Sequence, residues 1–123
     1  MDRAKIRIDE RKKRARRVRK LVSGTQQRPR MSVRRSLMHI YAQIIDDDAG
    51  KTIVQIGSSS KEVKERLGDK NTKTEVAKIV GEAIAEKAVE QGVKQVVFDR
   101  KGYPFSGRIK AVADGARSKG LSF

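Results

Sequence analysis

The chain has 123 residues, 37% of them hydrophobic, which is enough for one small folded core. Its formal net charge of +15 indicates a polyanionic partner, with nucleic acid ahead of an acidic membrane surface. It has no cysteine, which excludes disulfides and thiolate metal sites, and no apolar run approaches the roughly 20 residues of a membrane span.

The positive charge is concentrated at the start of the chain. Residues 1–35 hold fifteen of the thirty Lys and Arg residues but only three of the fifteen acidic ones. Because like charges at this density repel one another, we predict that residues 1–27 are a basic tail and linker, disordered when free. We also predict that the tail binds RNA phosphates and becomes helical against them. Its contact residues would be Arg11, Lys12, Lys13, Arg14, Arg16, Arg17, Arg19 and Lys20.

Other interpretations of this start are weaker. It has no apolar segment of the kind a secretory signal needs. Asp2, Asp9 and Glu10 argue against a mitochondrial transit peptide, which is typically poor in acidic residues.

Alternation of polar and apolar residues predicts strands at the start of the globular part, residues 28–123. Residues 30–35 and 39–44 both have this period of two, and a third strand is predicted at 52–56 after a turn rich in Asp and Gly. Three strands with short connections predict an antiparallel meander. One face of the first two would present arginines for phosphates and rings for stacking, although a plain solvated face has the same pattern. The predicted contacts are Arg28, Arg30, Ser32, Arg34, Arg35, Ser36, His39, Tyr41 and Gln43.

The second half of the chain predicts two helices around a fourth strand. Residues 61–71 are charged and aperiodic, which indicates a loop with at most one helical turn. Thr72 and Glu75 have the spacing of a capping box, and the helix that follows should stop at Gly92. Residues 93–98 are apolar at four of six positions and end in three consecutive apolar residues, from which we predict a central strand buried on both faces. A last helix is predicted at about 107–119.

The order of elements defines the fold class. We predict an α/β protein with one small domain in the order β-β-β-α-β-α, preceded by the basic tail. Its four-stranded mixed sheet packs with two helices, and a crossover helix would make the fourth strand parallel to a neighbour.

The loop between the fourth strand and the last helix is suited to contact a partner. Residues 99–108 hold two of the five aromatic residues and three cations, and a third aromatic residue, Phe98, directly precedes them. Loops at strand ends keep their side chains free while a rigid scaffold holds them. We therefore predict a shaped RNA-contact surface. Its residues would be Arg100, Lys101, Gly102, Tyr103, Phe105, Ser106, Gly107 and Arg108.

No group of residues supports catalysis. His39 is the only histidine, and Asp46, Asp47 and Asp48 fall in a turn where they supply turn geometry. The sequence has no glycine-rich phosphate-binding motif and no converging nucleophile and base. We predict no enzyme activity, no metal, no cofactor and no small-molecule substrate.

Two long motifs resemble the bacterial large-subunit ribosomal proteins of the L-eighteen family. They are R-P-R-M-S-V-R-R-S-L-M-H-I-Y-A-Q-I-I-D-D at 28–47 and V-V-F-D-R-K-G-Y-P-F-S-G-R-I-K-A-V-A-D-G-A-R at 96–117. The helix motif T-E-V-A-K-I-V-G and the ending G-L-S-F agree as well. The resemblance implies a protein that binds 5S rRNA in the central protuberance of the cytoplasmic ribosome. It also implies large-subunit rRNA and neighbouring ribosomal proteins as partners.

The sequence departs from the family pattern at four informative positions. Lys101, Phe105 and Ser106 stand where the family's loop commonly has glycine, tyrosine and histidine. Arg34 stands where the family often has an aromatic residue, which trades stacking for charge.

Two other kinds of protein stay open on the sequence alone. One is a general basic nucleic-acid-binding or RNA-chaperone protein without a fixed target. The other is a cationic protein of membrane surfaces, which is disfavoured because the tail has neither Trp nor Phe for insertion.

Overall fold

The segments that alternate in sequence pair as a meander. In this computed structural model, which describes residues 8–14, 24–68, 71–100 and 103–123, β1 is Arg30–Arg35, β2 is Ile40–Asp46 and β3 is Lys51–Gly57. Each strand is antiparallel to the next. The predicted meander is confirmed, with bounds within two residues of those expected.

Four helical segments accompany the sheet in the described residues. Residues 8–14 form α1, a single turn at Lys61–Lys64 forms α2, and the long helices are α3 (Lys73–Glu90) and α4 (Gly107–Ser118). At the start of α3, the Thr72 Oγ1 accepts a hydrogen bond from the Glu75 N–H at 3.2 Å, as the capping-box spacing predicts. The Glu75 carboxylate accepts from the Asn71 side chain. Gly92, with φ of +84°, follows the end of α3.

The fourth strand differs from its prediction in length and position. β4 is Val97–Asp99 and lies at the edge of a sheet ordered β3-β2-β1-β4, so the predicted central strand over 93–98 is wrong. Val93 is buried at the turn after α3, where its N–H bonds to Ala88 O, and the Val96 N–H bonds to Ser122 O. The apolar run is therefore covered by the end of α3 and by the C-terminal segment, without strands on both sides. The predicted parallel pairing is confirmed, since β4 runs parallel to β1.

The two long helices meet backbone to backbone. A Cβ built on Gly81 would lie 2.1 Å from Val112 O, and one built on Gly115 would lie 2.2 Å from Lys78 O. The absence of side chains at these two positions lets α3 and α4 approach this closely. Their apolar sides and one face of the sheet form a single core, which includes Met31, Val33, Ile40, Ile44, Ile56, Val80, Ile84, Ile109 and Val112. The predicted α/β class with a four-stranded mixed sheet is confirmed.

We expect Gly81→Ala to destabilise the fold, although alanine is the better helix former. The added methyl group would meet the backbone of α4 and force the helices apart, which costs about 1–3 kcal/mol for overpacking. Urea unfolding measures this change. Gly68→Ala is the control, because the contact that a Cβ there would make among the described residues, with the Asn71 Oδ1 at 3.4 Å, is an ordinary one. A Gly81→Ala protein as stable as wild type would contradict this packing.

Candidate nucleic-acid interface

The sheet face turned away from the core carries a row of polar side chains. Gln43 pairs with Ser32 on β1 and with Gln55 on β3, so the three residues lie on the same face. Arg34 and Tyr41 form the neighbouring pair on that face. Together these five residues line an open concavity of about 270 Å³. The prediction that this face gathers arginine, tyrosine and glutamine is confirmed.

The Tyr41 ring occupies a defined position on this face. It pairs with Gly57 on β3, and a Cβ on that glycine would lie 2.6 Å from Tyr41 Cδ1. The ring therefore occupies space that any other residue at position 57 would fill. His39 lies beside it, with ring centroids 6.2 Å apart and planes tilted by 54°. The His39 Nδ1 is 2.9 Å from Ser58 Oγ, which fixes the orientation of the imidazole.

Arg30 points to the same face but is not exposed there. The residue is 7% exposed, and its guanidinium donates to Asp47 through Nε and Nη2 and to Asp99 Oδ2 through Nη1, at 3.0–3.2 Å. Burial opposes its charged form, but the hydrogen bonds and charges of the two aspartates outweigh burial, so the pKa of Arg30 is raised. The expectation that this face presents Arg30 is wrong, because its cation is held inside by carboxylates. We assign it a structural role.

The loop after β4 is folded back on the domain. Tyr103, expected to be held out for stacking, is only 5% exposed, so that expectation is wrong. Its hydroxyl donates to Arg35 O at 3.3 Å, and the guanidinium carbons of Arg11 and Arg35 lie 4.8 and 5.1 Å from its ring centroid. Tyr103 thus fastens α1 and the end of β1 to the loop through its ring.

Other loop residues remain open to a partner. Phe105 is exposed and packs edge-on against Phe98, with centroids 5.9 Å apart. Arg100 and Ser106 are exposed, and Arg108 is half-buried in the first turn of α4. Gly107 has a φ of +54°, a conformation that favours glycine. Lys101 and Gly102 lie outside the described residues.

The described part of the basic tail extends the cationic surface. Lys12, Lys13 and Arg14 are exposed on α1. Arg11, Arg14 and Arg35 line a second concavity, of about 380 Å³, together with Ile8, Glu10, Tyr103 and Pro104. Arg16, Arg17, Arg19 and Lys20 lie outside the described residues, and disorder of the free tail stays a prediction.

Sequence reasoning missed several residues of this surface. Gln55 and Gly57 were not among the predicted contacts. The period of two in β3 could have placed Gln55 on the face away from the core, but its position opposite Gln43 depends on a strand register that the structure shows. Leu37 and Met38, in the β1–β2 turn, are 88% and 82% exposed. Exposed apolar residues at such a turn are a feature that alternation does not predict.

The described residues contain no group of three or more His, Cys, Asp and Glu side chains placed to hold a metal ion. In the same residues, no helix combines the length and the apolar character that crossing a membrane demands.

A small, strongly basic α/β domain with a polar sheet face, a cationic helix and an aromatic loop has the features of a nucleic-acid-binding protein. The sequence comparisons refine this class. Residues 5–123 match the model of the family described as ribosomal L18 of archaea, bacteria, mitochondria and chloroplast. The chain belongs to this family.

Individual relatives agree over nearly the whole chain. The Large ribosomal subunit protein uL18 of Thermomicrobium roseum is 53% identical over 119 residues, which is 97% of this chain and 96% of the relative. The protein of the same name from Desulforudis audaxviator is 52% identical over 117 residues, 95% of each chain. That from Chlorobaculum tepidum is 55% identical over 107 residues, 87% of each. These matches confirm the resemblance read from the motifs, and they confirm a ribosomal protein with no enzyme activity.

We expect Arg30→Met to lower the free energy of unfolding by about 3–5 kcal/mol, the range for removing one partner of a buried ion pair. The reason is that Asp99, fully buried, loses the cation that faces it. Chemical denaturation measures the effect. Arg28→Met, at an exposed position nearby, should change stability by no more than about 0.5 kcal/mol. Equal stability of the two variants would contradict the anchoring role of Arg30.

We expect Tyr103→Leu to release α1 from the domain, because leucine offers no ring face to the guanidinium of Arg11. Hydrogen exchange measured by NMR should show faster exchange of the amides of residues 8–14. Tyr103→Phe keeps the ring and loses only the hydroxyl, so it should hold α1 as wild type does. Identical exchange in the two variants would show that the ring does not hold α1.

Proposed function

We propose that the protein is a structural component of the large ribosomal subunit that binds 5S rRNA and helps attach it to the large-subunit rRNA in the central protuberance. The observation that carries this proposal is the family match over residues 5–123. The relatives are named large-subunit proteins and are 53% and 52% identical over almost their full length. Its place would be the ribosome in the cytoplasm, among neighbouring large-subunit proteins.

The basic tail and the folded domain would make different kinds of contact with RNA. The tail carries a block of like charge, which attracts phosphates without regard to sequence. The sheet face and the loop are held by the folded core, and they would supply shape and stacking contacts to a structured RNA. The retained contact residues of the folded part are Arg28, Arg34, Arg35, Ser36, His39, Tyr41, Gln43, Arg100, Phe105, Ser106 and Arg108. Ser32 lines the sheet-face concavity but is only 4% exposed, so it is not retained as a contact.

The β1–β2 turn supports a further contact in the assembled particle. Leu37 and Met38 are solvent-exposed apolar side chains next to Arg34 and Arg35. Burying them against a neighbour in the large subunit would remove apolar surface from water, while the arginines stay near phosphates.

The target is tested by capturing RNA from a bacterial lysate with the full chain at moderate salt and sizing what is bound. One discrete small RNA of the length of 5S rRNA supports the proposal. A smear of all RNA lengths would instead favour a general RNA-binding or chaperone protein. Sedimentation with anionic vesicles in a parallel assay would favour a membrane-surface protein.

Deleting residues 1–22 should flatten the salt dependence of 5S rRNA binding. If the tail contacts about 5–8 phosphates, each contributes about 0.7–0.9 to the slope of log affinity against log salt. Fluorescence anisotropy over a KCl series measures the slope, and circular dichroism checks that the domain is folded. Arg34→Ala, which removes one exposed cation from the sheet face, should lower the slope by only about 1. A slope unchanged by the deletion would refute the assigned role of the tail.

A further inference from the structure

The concavity on the sheet face combines one ring, one cation and two amides. Tyr41, Arg34, Gln43 and Gln55 line it, with Ser32 on its floor. Among the described residues, no protein group bonds the side-chain amides of Gln43 and Gln55, and both amides are accessible to solvent. A few polar groups that line one open concavity and are not used within the protein are suited to orient a ligand.

The register of the sheet sets the spacing of these groups. Ser32, Gln43 and Gln55 lie in one row across three strands, and Arg34, Tyr41 and Gly57 are the members of the next row. Strands are about 4.8 Å apart, so each row spans about 10 Å. The tyrosine ring and the two amides are therefore side by side on a rigid surface, within reach of a single planar group.

The chemistry of the lining selects among possible ligands. A phosphate offers only acceptors and would leave the amide oxygens unpaired, whereas each amide has both a donor and an acceptor. The edge of a nucleobase also presents donors and acceptors together, and glutamine pairs with such an edge through two hydrogen bonds. A ring beside the amides supplies a stacking plane, so the lining fits a base better than it fits a phosphate alone.

The concavity is small and open. Its volume of about 270 Å³ is below the roughly 300–1,000 Å³ of sites that hold drug-sized molecules, and it suits a single base. In an RNA duplex, pairing hides the Watson–Crick edge of a base, stacking hides its faces, and the other edge lies in a major groove too deep and narrow for side chains. Only an unpaired base could therefore both stack on Tyr41 and meet the two amides.

We propose that this concavity binds one unpaired nucleobase of the RNA, stacked on Tyr41 and hydrogen-bonded at its edge by Gln43 and Gln55, with the adjoining phosphate on Arg34. The inference rests on the proposed function for the RNA that supplies the base. It adds Gln55 as a specificity-determining residue. It also adds Gly57 as a positioning residue, because a methyl group there would displace the Tyr41 ring.

The test is NMR of the full-length, isotope-labelled chain, observing the side-chain amide signals of Gln43 and Gln55. The probes are the four ribotetranucleotides of A, C, G or U, and a matched abasic ribose-phosphate tetramer. We expect both amide signals to shift with at least one tetranucleotide and to stay in place with the abasic tetramer. Shifts of equal size with the abasic tetramer would overturn the proposal, since a phosphate alone would explain them. The absence of a shift in both amide signals with all four tetranucleotides would overturn the proposal as well.

Variants separate stacking from edge contacts. Tyr41→Ala should weaken the responsive tetranucleotide about 5- to 150-fold, the range for losing one base–aromatic stack. Tyr41→Phe keeps the plane and should bind as wild type does. Gly57→Ala should weaken binding without removing any polar group, and Gln55→Ala should reduce the preference among the four bases. Should Tyr41→Ala fail to fold, the wild-type signals and the Tyr41→Phe and Gln55→Ala variants still decide the outcome.

Binding of 5S rRNA, followed in parallel, keeps this inference distinct from the proposed function. Tight binding of 5S rRNA, without any shift of the glutamine amide signals in the tetranucleotide titrations, would overturn the proposed base site. It would leave the proposal of 5S rRNA as the target unaffected. Glutamine shifts with a tetranucleotide, without any preference for 5S rRNA, would support the base site and count against the target.

Discussion

The buried Arg30 guanidinium holds together parts of the chain that are far apart in sequence. It bonds to Asp47 in the β2–β3 turn and to Asp99 at the end of β4, while Asp47 Oδ2 also accepts from the Gly24 N–H. One cation thereby sets where the linker enters the domain and where the loop after β4 departs. A buried charge is tolerated only when carboxylates meet it, so these three segments are fixed together. The basic tail and the contact loop consequently start from neighbouring points.

One face of the sheet is covered by helices and the other is open to solvent, and the proposed RNA contacts depend on this difference. The helices α3 and α4 meet at Gly81 and Gly115 so closely that no side chain fits between them. This compact pair covers the apolar face of the sheet. The other face keeps Arg34, Tyr41 and Gln43 available to solvent. A sheet covered on both faces could not offer a rigid polar platform.

The sequence predicted local structure better than it predicted exposure. Alternation located β1 to β3 because one face is buried, and the Thr72 cap located the start of α3. The prediction of a central strand at 93–98 was wrong because apolar residues are also found where a helix end and a C-terminal segment bury the chain. The sequence does not distinguish this burial from burial by flanking strands. The exposure of Tyr103 was wrongly predicted for a related reason. Its partner Arg11 is distant in sequence, and no local pattern reports a contact between them. The family resemblance indicated that the loop is a contact region, but it did not indicate which of the loop's side chains point inward.

Rigid and extended parts of this protein contribute different things to recognition. Cations on the tail gain from any phosphate, so they raise affinity for all RNA and discriminate little. On β1, β2 and β3 the backbone is already fixed, so only side chains are ordered on binding, and a base edge that does not match would leave amides unpaired. Discrimination should therefore reside in the sheet face and in the exposed Phe105 ring. This assignment explains why a chain with so much charge also maintains a polar platform of which only a small part is cationic.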